Sequence, residues 1–359
     1  MSIFRTLYRG ESRFEFIGHR KRWYLASVVL ILICVLSFVF RGFNFGVEFA
    51  GGSQFQIQTS GTHLSTHQVD NAFRDAGLPG ENAAQRVGSG GTQSVVIKTK
   101  NIDATEQQKI LPSVAKALNV PQNKINFQTV SSEWGHDITV KAVQALIVFL
   151  IVVSIYISIR FEWRMAVGGM VALLHDLIIA AGIYSLVGFE VTPSTVVGLL
   201  TILGFSLYDT VVVYDKVAEN SKDITAGSRM TYSDAANLAV NQTLMRSINT
   251  SLIALLPVAG LLFVGAGLLG VGTIKDLALI LFVGLASGAY SSLFLATPIV
   301  VELTERDPAY KALAKRVAAK RASEAKRGAD PELVSAAPKR AGVPAPAPKP
   351  GARPQRRKR

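Results

Sequence analysis

Residues 138–159 read ITVKAVQALIVFLIVVSIYISI, an apolar run in which Lys141 is the one charged side chain. A membrane-spanning helix needs about 20 predominantly apolar residues, so this run predicts one transmembrane helix. Five further apolar runs each predict one more transmembrane helix: Tyr24–Phe40, Met165–Val187, Thr192–Asp215, Ser251–Gly270 and Ile274–Val301. The sequence therefore predicts an α-helical membrane protein with six transmembrane helices, one in residues 24–40 and five in residues 138–301.

The composition supports a membrane protein. The chain has 359 residues, of which 49% are hydrophobic and only 18% charged, and its net charge is +13. An ordinary soluble domain carries about 25% charged residues, which argues against a cytosolic enzyme. A disordered nucleic-acid-binding chain could not carry this much Leu, Ile and Val. The single cysteine, Cys34, excludes an intrachain disulfide and argues against a thiol metal site.

The basic residues predict the orientation in the membrane. Lys and Arg cluster in residues 1–23, 160–164, 216–246 and 302–359, and cytoplasmic loops are the ones enriched in these residues. Both termini are therefore predicted to be cytoplasmic and residues 43–137 extracytoplasmic. Arg41, rather than a small-residue cleavage site, follows the first apolar run, so we interpret that run as an uncleaved anchor and not a signal peptide.

Residues 43–137 are expected to form a small α+β domain. Alternation predicts strands at Asn44–Thr59, Ser94–Lys100 and Lys124–Val130, with a short strand near Ala84–Val87. Helices are expected at Ser65–Ala76 and Asp103–Asn119, although Pro112 interrupts the second. The order βαββαβ predicts a ferredoxin-like domain between transmembrane helices 1 and 2.

Residues 302–359 form a basic, Pro/Ala-rich segment with 16 Lys+Arg against 6 Asp+Glu. Its net charge of +10 leaves only +3 for the rest of the chain. Such a composition after Gly328 cannot build a core, so we expect a largely disordered cytoplasmic tail. Attraction to anionic lipid headgroups is the favoured role, and ribosome contact is the alternative.

Ionisable residues inside the apolar runs are the candidate functional residues, because a charge near the bilayer centre costs about 2.5–3.5 kcal/mol on insertion scales. They are His175, Asp176 and Asp209, with Asp215 and Arg246 at helix ends. A low-dielectric environment disfavours the charged form of a carboxyl, so these residues are candidates for a proton pathway. Structural alternatives remain: Asp215 and Arg246 as helix-end residues, and His175–Asp176 as a polar pair between helices. Asp209 is the hardest to explain structurally.

Other motifs do not support catalysis. Residues 265–270 match a dinucleotide fingerprint, but they lie in an apolar run with no preceding strand. No phosphate-binding Lys-Ser/Thr loop, Ser/His/Asp arrangement or complete set of metal ligands is recognisable in the sequence. We therefore expect no enzymatic activity, no metal and no cofactor, and no specific nucleic-acid partner.

Several motifs resemble the SecF family of bacterial protein-export membrane proteins. Residues 41–52, RGFNFGVEFAGG, are similar to the family's signature after the first span, whose turn falls on Gly46, Glu48, Phe49, Gly51 and Gly52. RFEWR (160–164), ALLHD (172–176), GFSLYD (204–209) and VYDKVAEN (213–220) resemble further family motifs in the same order. Two departures stand out: Glu48 replaces an Asp, and Lys216-Val217-Ala218 replaces Arg-Ile-Arg.

The resemblance implies a function. Members form half of the SecDF unit in the resistance-nodulation-division superfamily. They use the proton motive force with SecD to promote export through SecYEG after the SecA-driven step. It further implies that Asp209 and Arg246 serve proton passage, and that SecA, the YidC insertase and unfolded secretory polypeptides are partners in the bacterial plasma membrane. The alternatives are a non-transporting scaffold of the Sec channel or insertase and, less favoured, a small-molecule efflux subunit. The outer domain could hold the emerging chain by strand addition or pack against SecD.

Overall fold

The computed structural model describes residues 14–59, 64–80, 83–87, 93–268 and 272–329. The first helix, α1 (Arg20–Arg41), is apolar on nearly its whole circumference and ends at Gly42, whose φ is +67°. Before it, residues 14–17 lie against a later helix, where Asn241 donates to the Phe14 carbonyl and Asn237 accepts from the Phe16 amide.

A small α+β domain follows α1. Its elements are β1 (Asn44–Phe45), α2 (Val47–Ala50), β2 (Gly52–Gln58), α3 (Thr66–Asp75), β3 (Gln85–Val87), β4 (Ser94–Thr99), α4 (Ala104–Ala117) and β5 (Ile125–Val130). Strands β2 to β5 form one antiparallel sheet in the order β3-β4-β2-β5. Both longer helices begin with a capping box, at Ser65 and at Asp103, where the sequence predicted them to begin. Helix α4 continues through Pro112.

The core of this domain lies between the sheet and the helices. Phe55 in the central strand β2 is fully buried and packs edge-on against Phe73 of α3, with ring centroids 4.8 Å apart. Ile57 and Ile97 point to the same face and are also buried. Alternate residues of β2, such as Gln54 and Gln56, lie on the opposite face, which is the period-2 pattern of a half-buried strand.

Five more long helical segments complete the membrane part. They are α5 (Ser132–Arg160), α6 (Trp163–Val187), α7 (Pro193–Ser221), α8 (Tyr232–Gly260) and a sixth helix made of α9 (Gly272–Ser291), a π-turn (Ser292–Ala296) and α10 (Thr297–Glu305). Helix α8 continues as a π-helix over Leu261–Leu268. With α1, these make six helices in the described chain that are long and apolar enough to cross a membrane, as predicted.

The helices differ in how far they are covered. In α6 and in the sixth helix, half of the residues of the apolar, membrane-spanning stretch are buried. The corresponding share is 17% for α1 and 11% for α5 and α8. A short strand, β6 (Glu190–Val191), lies in the connection between α6 and α7 and pairs in parallel with β1. The α+β domain is thereby attached to the hairpin formed by α6 and α7.

The helix bounds correct two expectations about residues outside the apolar runs. The predicted 216–246 loop is only residues 222–231, because α7 extends to Ser221 and a capping box of Thr231 and Asp234 begins α8 at Tyr232. Helix α11 (Pro308–Ala329) occupies the start of the predicted disordered tail, since Leu313 and Val317 bury one helix face. Hydropathy alone misses such polar helical extensions. The rest of that tail lies outside the described residues.

Candidate functional site: buried carboxylates in the helix bundle

Asp176 lies in the middle of α6 with only 1% of its surface exposed. Its Oδ2 accepts hydrogen bonds from the hydroxyls of Ser206 (2.5 Å) and Ser291 (2.7 Å), and its Oδ1 accepts one from Ser287 (2.7 Å). These serines belong to α7 and α9. A single carboxylate therefore connects three helices through neutral hydroxyl donors.

Asp209 lies on α7, one turn after Ser206, and is 7% exposed. Its Oδ1 accepts from Ser247 of α8 at 2.8 Å, and its Oδ2 accepts from Ser292 at 2.7 Å. The described part of the chain places no Lys or Arg nitrogen within 4.0 Å of either carboxylate, although His175 touches Asp176. Hydroxyl donors stabilise the carboxylate without fixing its charge as an ion pair would.

The two sites share the sixth helix. Adjacent residues Ser291 and Ser292, at the junction of α9 and the π-turn, donate to different carboxylates because successive helical side chains point about 100° apart. Gly288 makes the close approach possible, since a Cβ there would lie 3.0 Å from the Cβ of Ser206. Gly284, one turn earlier, faces Ile202 of α7 with no room for a side chain.

His175 precedes Asp176 and is 2% exposed. Its Nδ1 lies 3.2 Å from Asp176 Oδ1, so the ring and the carboxylate share a hydrogen bond. Its Nε2 is buried and has no hydrogen-bond partner. The ring also lies 5.9 Å from the ring of Tyr290 on α9. The sequence predicted this pair as a candidate, and the structure places it beside the serine cluster.

The structure does not bring Arg246 or Asp215 to the buried carboxylates. Arg246 is exposed on α8, and its Nη2 donates to the Tyr208 hydroxyl at 3.2 Å. Asp215 forms an ion pair with Arg160 at 2.8 Å, and both side chains are about half exposed. Arg246 and Asp209 are connected only through sequence neighbours: Arg246 bonds to Tyr208, the residue before Asp209, and Asp209 bonds to Ser247, the residue after Arg246.

The glycine-rich turn after α1 joins the α+β domain to α5. Gly46 caps the four-residue helix α2, which carries Glu48 and Phe49. Gly51 has φ of +74°, and a Cβ there would lie 2.8 Å from Ser132 Cα at the start of α5. Gly52 has φ of +114° and faces the Thr99 carbonyl. Both positions favour glycine, because other residues rarely adopt positive φ. Glu48 accepts from the Gln128 amide of β5 at 3.4 Å.

Sequence reasoning missed the serines of the sixth helix. Ser287, Ser291 and Ser292 follow a helical spacing in an otherwise apolar run, and such a hydroxyl stripe is the signal that would have indicated them. Ser206 lies inside the motif GFSLYD, and Ser247 follows Arg246 in a polar run that leads into the fifth apolar run. Among the described residues, no group of three His, Cys, Asp or Glu side chains could hold a metal ion.

Comparison with known proteins confirms the resemblance seen in the sequence motifs. Residues 110–306 match the family model "Protein export membrane protein SecD/SecF, C-terminal", and residues 36–62 match the "SecD/SecF GG Motif". The chain is 47% identical to the protein translocase subunit SecF of Streptomyces coelicolor over 91% of this chain and 86% of that protein. It is 43% identical to SecF of Mycobacterium tuberculosis, over 92% and 76% respectively.

A solved structure shows the same similarity. The crystal structure of SecDF, a translocon-associated membrane protein from Thermus thermophilus, superposes with a TM-score of 0.74 and 29% sequence identity. The match covers 82% of this chain and 39% of that one, so the chain spans about two fifths of the solved SecDF chain. Together with the six apolar helices, these matches identify a multi-pass membrane protein.

Proposed function

Because the chain belongs to the SecD/SecF family of protein export membrane proteins, we propose that it is a SecF-like accessory subunit of the Sec translocase. In this role it uses the proton motive force, together with SecD, to promote export of preproteins through SecYEG after the SecA-driven step. It needs no enzymatic activity and no cofactor, because the driving force is proton movement through the helix bundle.

The observation that supports this proposal most is Asp209. Only 7% of this side chain is exposed, and burying a carboxylate in a membrane helix costs free energy. A residue kept at such a cost is expected to serve a function. Its donors Ser247 and Ser292 are hydroxyls, which also accept hydrogen bonds and so accommodate a protonated carboxyl after rotation. Because Asp209 forms no ion pair, protonation of its carboxyl leaves no Lys or Arg side chain unpaired. Asp209 joins α7 to α8 and the sixth helix, so its protonation state affects how these helices pack.

The topology follows from the same role. We place both termini in the cytoplasm, the domain of residues 43–137 outside, and the protein in the bacterial cytoplasmic membrane. The positive-inside rule supports this orientation. The ferredoxin-like class of the outer domain is supported by its βαββαβ order and by the sheet order β3-β4-β2-β5, with both helices packed on one face.

SecD is the partner that best fits the uncovered side of α8. Only 11% of the apolar window of this helix is buried, and Leu252, Ile253 and Leu256 are exposed. Arg246 lies on the same helix with an exposed guanidinium, which suits a protein or hydrated surface better than lipid. The fused SecDF relative from Thermus thermophilus supports this pairing. SecYEG, SecA, YidC and an unfolded secretory chain complete the proposed set of partners, with anionic lipids at the basic tail.

The decisive experiment replaces Asp209 by Asn and measures export driven by a proton gradient in inverted membrane vesicles. Asn keeps the side-chain size and hydrogen bonding but cannot exchange a proton. We expect normal abundance and partner binding with complete loss of the proton-dependent part of export. Asp215→Asn is the matched control, because it removes a carboxylate of the same helix from the surface, and we expect it to retain export. Retained proton-dependent export in Asp209→Asn would contradict the proposal.

A non-transporting scaffold is the second candidate, and the bonding of Asp176 is the observation that favours it. Three hydroxyls from two helices converge on this carboxylate, which is the arrangement of a structural crosslink. The same variants separate the two functions. In a scaffold, Asp209→Asn and Asp176→Asn lower abundance or partner binding and leave the proton dependence of the remaining export unchanged.

A further inference from the structure

A groove of about 480 Å³ runs along the outside of the bundle between α1, α6 and the last part of the sixth helix. Its lining on the sixth helix includes Leu295, Ile299 and Leu303, which follow a helical spacing. Val28 of α1 and Leu174 of α6 line it from the other two helices, and they are 60% and 44% exposed, so the groove is open to the surroundings of the bundle. Such apolar walls do not hold water, and the occupant of the groove in a membrane is therefore apolar.

The length of the groove matches one leaflet of a bilayer. Its lining on the sixth helix extends from Leu295 to Arg306, a separation of eleven residues, or about 16 Å at 1.5 Å per residue. The hydrocarbon core of a bilayer is about 30 Å thick, so one leaflet contributes about 15 Å. The groove therefore extends from the membrane surface beside Arg306 to about the middle of the bilayer.

The width of the groove fits a single hydrocarbon chain rather than a helix. A volume of about 480 Å³ over about 16 Å gives a mean cross-section of about 30 Å². A helix with its side chains is about 10–12 Å across, which corresponds to a cross-section of about 95 Å². A lipid acyl chain, which is a single file of methylene groups, is the narrow apolar occupant that a membrane supplies.

Basic residues lie at the end of the groove next to the membrane surface. Arg306 lines this end with 70% of its side chain exposed, and it pairs with Glu302 at 3.1 Å. Arg20 of α1 pairs with Glu305 at 3.2 Å. Lys21 is exposed one helical turn before the lining residues of α1, on the same side of that helix, and it forms no ion pair with any described residue. Three cations meet two carboxylates here, so one positive charge remains uncompensated.

We propose that this groove binds one acyl chain of an anionic phospholipid, whose phosphate lies at Lys21 and Arg306. A phosphate diester carries one negative charge and balances the uncompensated positive charge. The Arg306 guanidinium has five N–H donors, so it keeps its contact with Glu302 while donating to a phosphate oxygen. Basic pockets between membrane helices on the cytoplasmic side bind anionic headgroups, and the proposed orientation places this end there. The site is independent of proton exchange by the buried carboxylates, and it is a defined position rather than a general attraction of the tail to lipid.

Lipid retention tests the headgroup contact. The full chain is reconstituted with equimolar phosphatidylglycerol and phosphatidylethanolamine of identical acyl chains, extracted in mild detergent and examined by native mass spectrometry. We expect one retained phosphatidylglycerol in preference to phosphatidylethanolamine. Lys21→Gln and Arg306→Gln should each lower this preference about fivefold, which corresponds to about 1 kcal/mol per basic residue near a membrane surface.

Arg22→Gln is the matched control for the headgroup contact. Arg22 is the next residue after Lys21 and is also exposed, but successive helical side chains point about 100° apart, so it lies away from the groove. We expect Arg22→Gln to keep the preference for phosphatidylglycerol. Equal losses in Arg22→Gln and Lys21→Gln, or no preference in the unmodified protein, would overturn the headgroup site.

A second pair of variants tests the acyl chain in the groove. Val28 lines the groove and Val29 does not, yet both are exposed on α1, at 60% and 45%, so neither substitution disturbs a packed core. Val28→Trp fills the groove and should abolish the retained lipid, whichever headgroup it carries. Val29→Trp should retain the lipid as the unmodified protein does. Undiminished retention in Val28→Trp would overturn the groove as the binding site.

Photocrosslinking in the native membrane identifies the occupant directly. The photoreactive residue p-benzoylphenylalanine replaces Val28 or Val29 in the full chain, and the adducts are identified by mass spectrometry. We expect phospholipid adducts at both positions, with a higher share of anionic phospholipid at Val28. A protein adduct at Val28 would assign the groove to a helix of a partner, and equal lipid composition at the two positions would mean bulk lipid; either result would overturn the proposal.

Discussion

The carboxylates inside the bundle and those at its ends are held by different chemistry. Inside, Asp176 and Asp209 accept hydrogen bonds from serine hydroxyls, and from His175 in the case of Asp176. At the ends, three carboxylates each form an ion pair with a cation: Asp215 with Arg160 (2.8 Å), Asp307 with Arg164 (2.5 Å) and Glu190 with Lys98 (3.1 Å).

Under the proposed function, this difference separates carboxylates that stabilise the structure from carboxylates that exchange protons. An ion pair favours the ionised carboxylate, and protonating it would leave the cation without a partner. Serine hydroxyls both donate and accept, so they tolerate either protonation state. The ion pairs at the ends connect elements at the bundle surface, while Asp176 and Asp209 are the carboxylates for which we propose proton exchange. Four sets of variants test this distinction, beginning with the largest expected effect.

Replacing Asp176 by Leu, which is apolar and similar in size, should destabilise the bundle by about 2–3 kcal/mol. Three hydroxyls and the His175 ring lose an acceptor, and interhelical hydrogen bonds in membranes average about 0.6 kcal/mol with a maximum near 1.7. Thermal unfolding of the purified protein in detergent measures this. Asp209→Leu, which loses two donors, should cost about half as much. Asp215→Leu is the control and should cost less than about 1 kcal/mol. Equal effects at all three sites would contradict the distinction.

Replacing Lys98 by Met should loosen the joint between the α+β domain and the α6–α7 hairpin. The Lys98 side chain is 10% exposed, and its Nζ lies 3.1 Å from Glu190, 2.8 Å from the Phe45 carbonyl and 3.3 Å from Asn44 Oδ1. Hydrogen bonds to charged groups contribute about 1.5–3 kcal/mol, and partial exposure of Glu190 reduces this to about 1–2 kcal/mol.

The loosened joint should appear as faster protease cleavage near β1, with the membrane helices intact. Lys216→Met is the matched control, because Lys216 contacts Glu219 of its own helix at 2.8 Å and joins no two elements. Unchanged cleavage in Lys98→Met would mean that the β1–β6 pairing and the glycine turn hold the domain alone.

Substituting Ser291 or Ser292 by Ala should cost only about 0.6 kcal/mol each, the average for such a bond in a membrane. The informative quantity is the coupling in a double-mutant cycle. Ser292→Ala should couple to Asp209→Asn, and Ser291→Ala should not, because it donates to Asp176. The opposite pattern, or equal coupling of both serines to Asp209, would contradict the hydrogen-bond assignment in the π-turn.

The sequence predicted the parts of this picture that depend on local pattern. Apolar runs located the six helices, and the cost of a buried charge was enough to indicate Asp176 and Asp209. The sequence did not indicate the cluster of Ser287, Ser291 and Ser292. A hydroxyl in an apolar helix costs little free energy, so its role becomes recognisable only when the residues of the facing helix are known. The exposure of Arg246 and the pairing of Lys98 with Glu190 likewise depend on the tertiary structure. Which residues of two helices meet depends on their crossing and rotation, and periodicity does not specify these.

The smallest expected effect concerns Asp307, outside the membrane helices. The Ala309 backbone N–H (2.9 Å) and the Arg164 guanidinium together hold the pKa of Asp307 below its usual value. A carboxyl with a lowered folded-state pKa contributes stability above its unfolded pKa of about 3.9 and loses it as pH falls through the folded pKa. Asp307→Asn should therefore be slightly less stable than the unmodified protein at pH 7, and the melting temperatures should converge in acid. A difference that stays constant down to about pH 3 would mean that the pair contributes no charge-dependent stability. The end carboxylates would then be no more fixed in their charge than the interior ones.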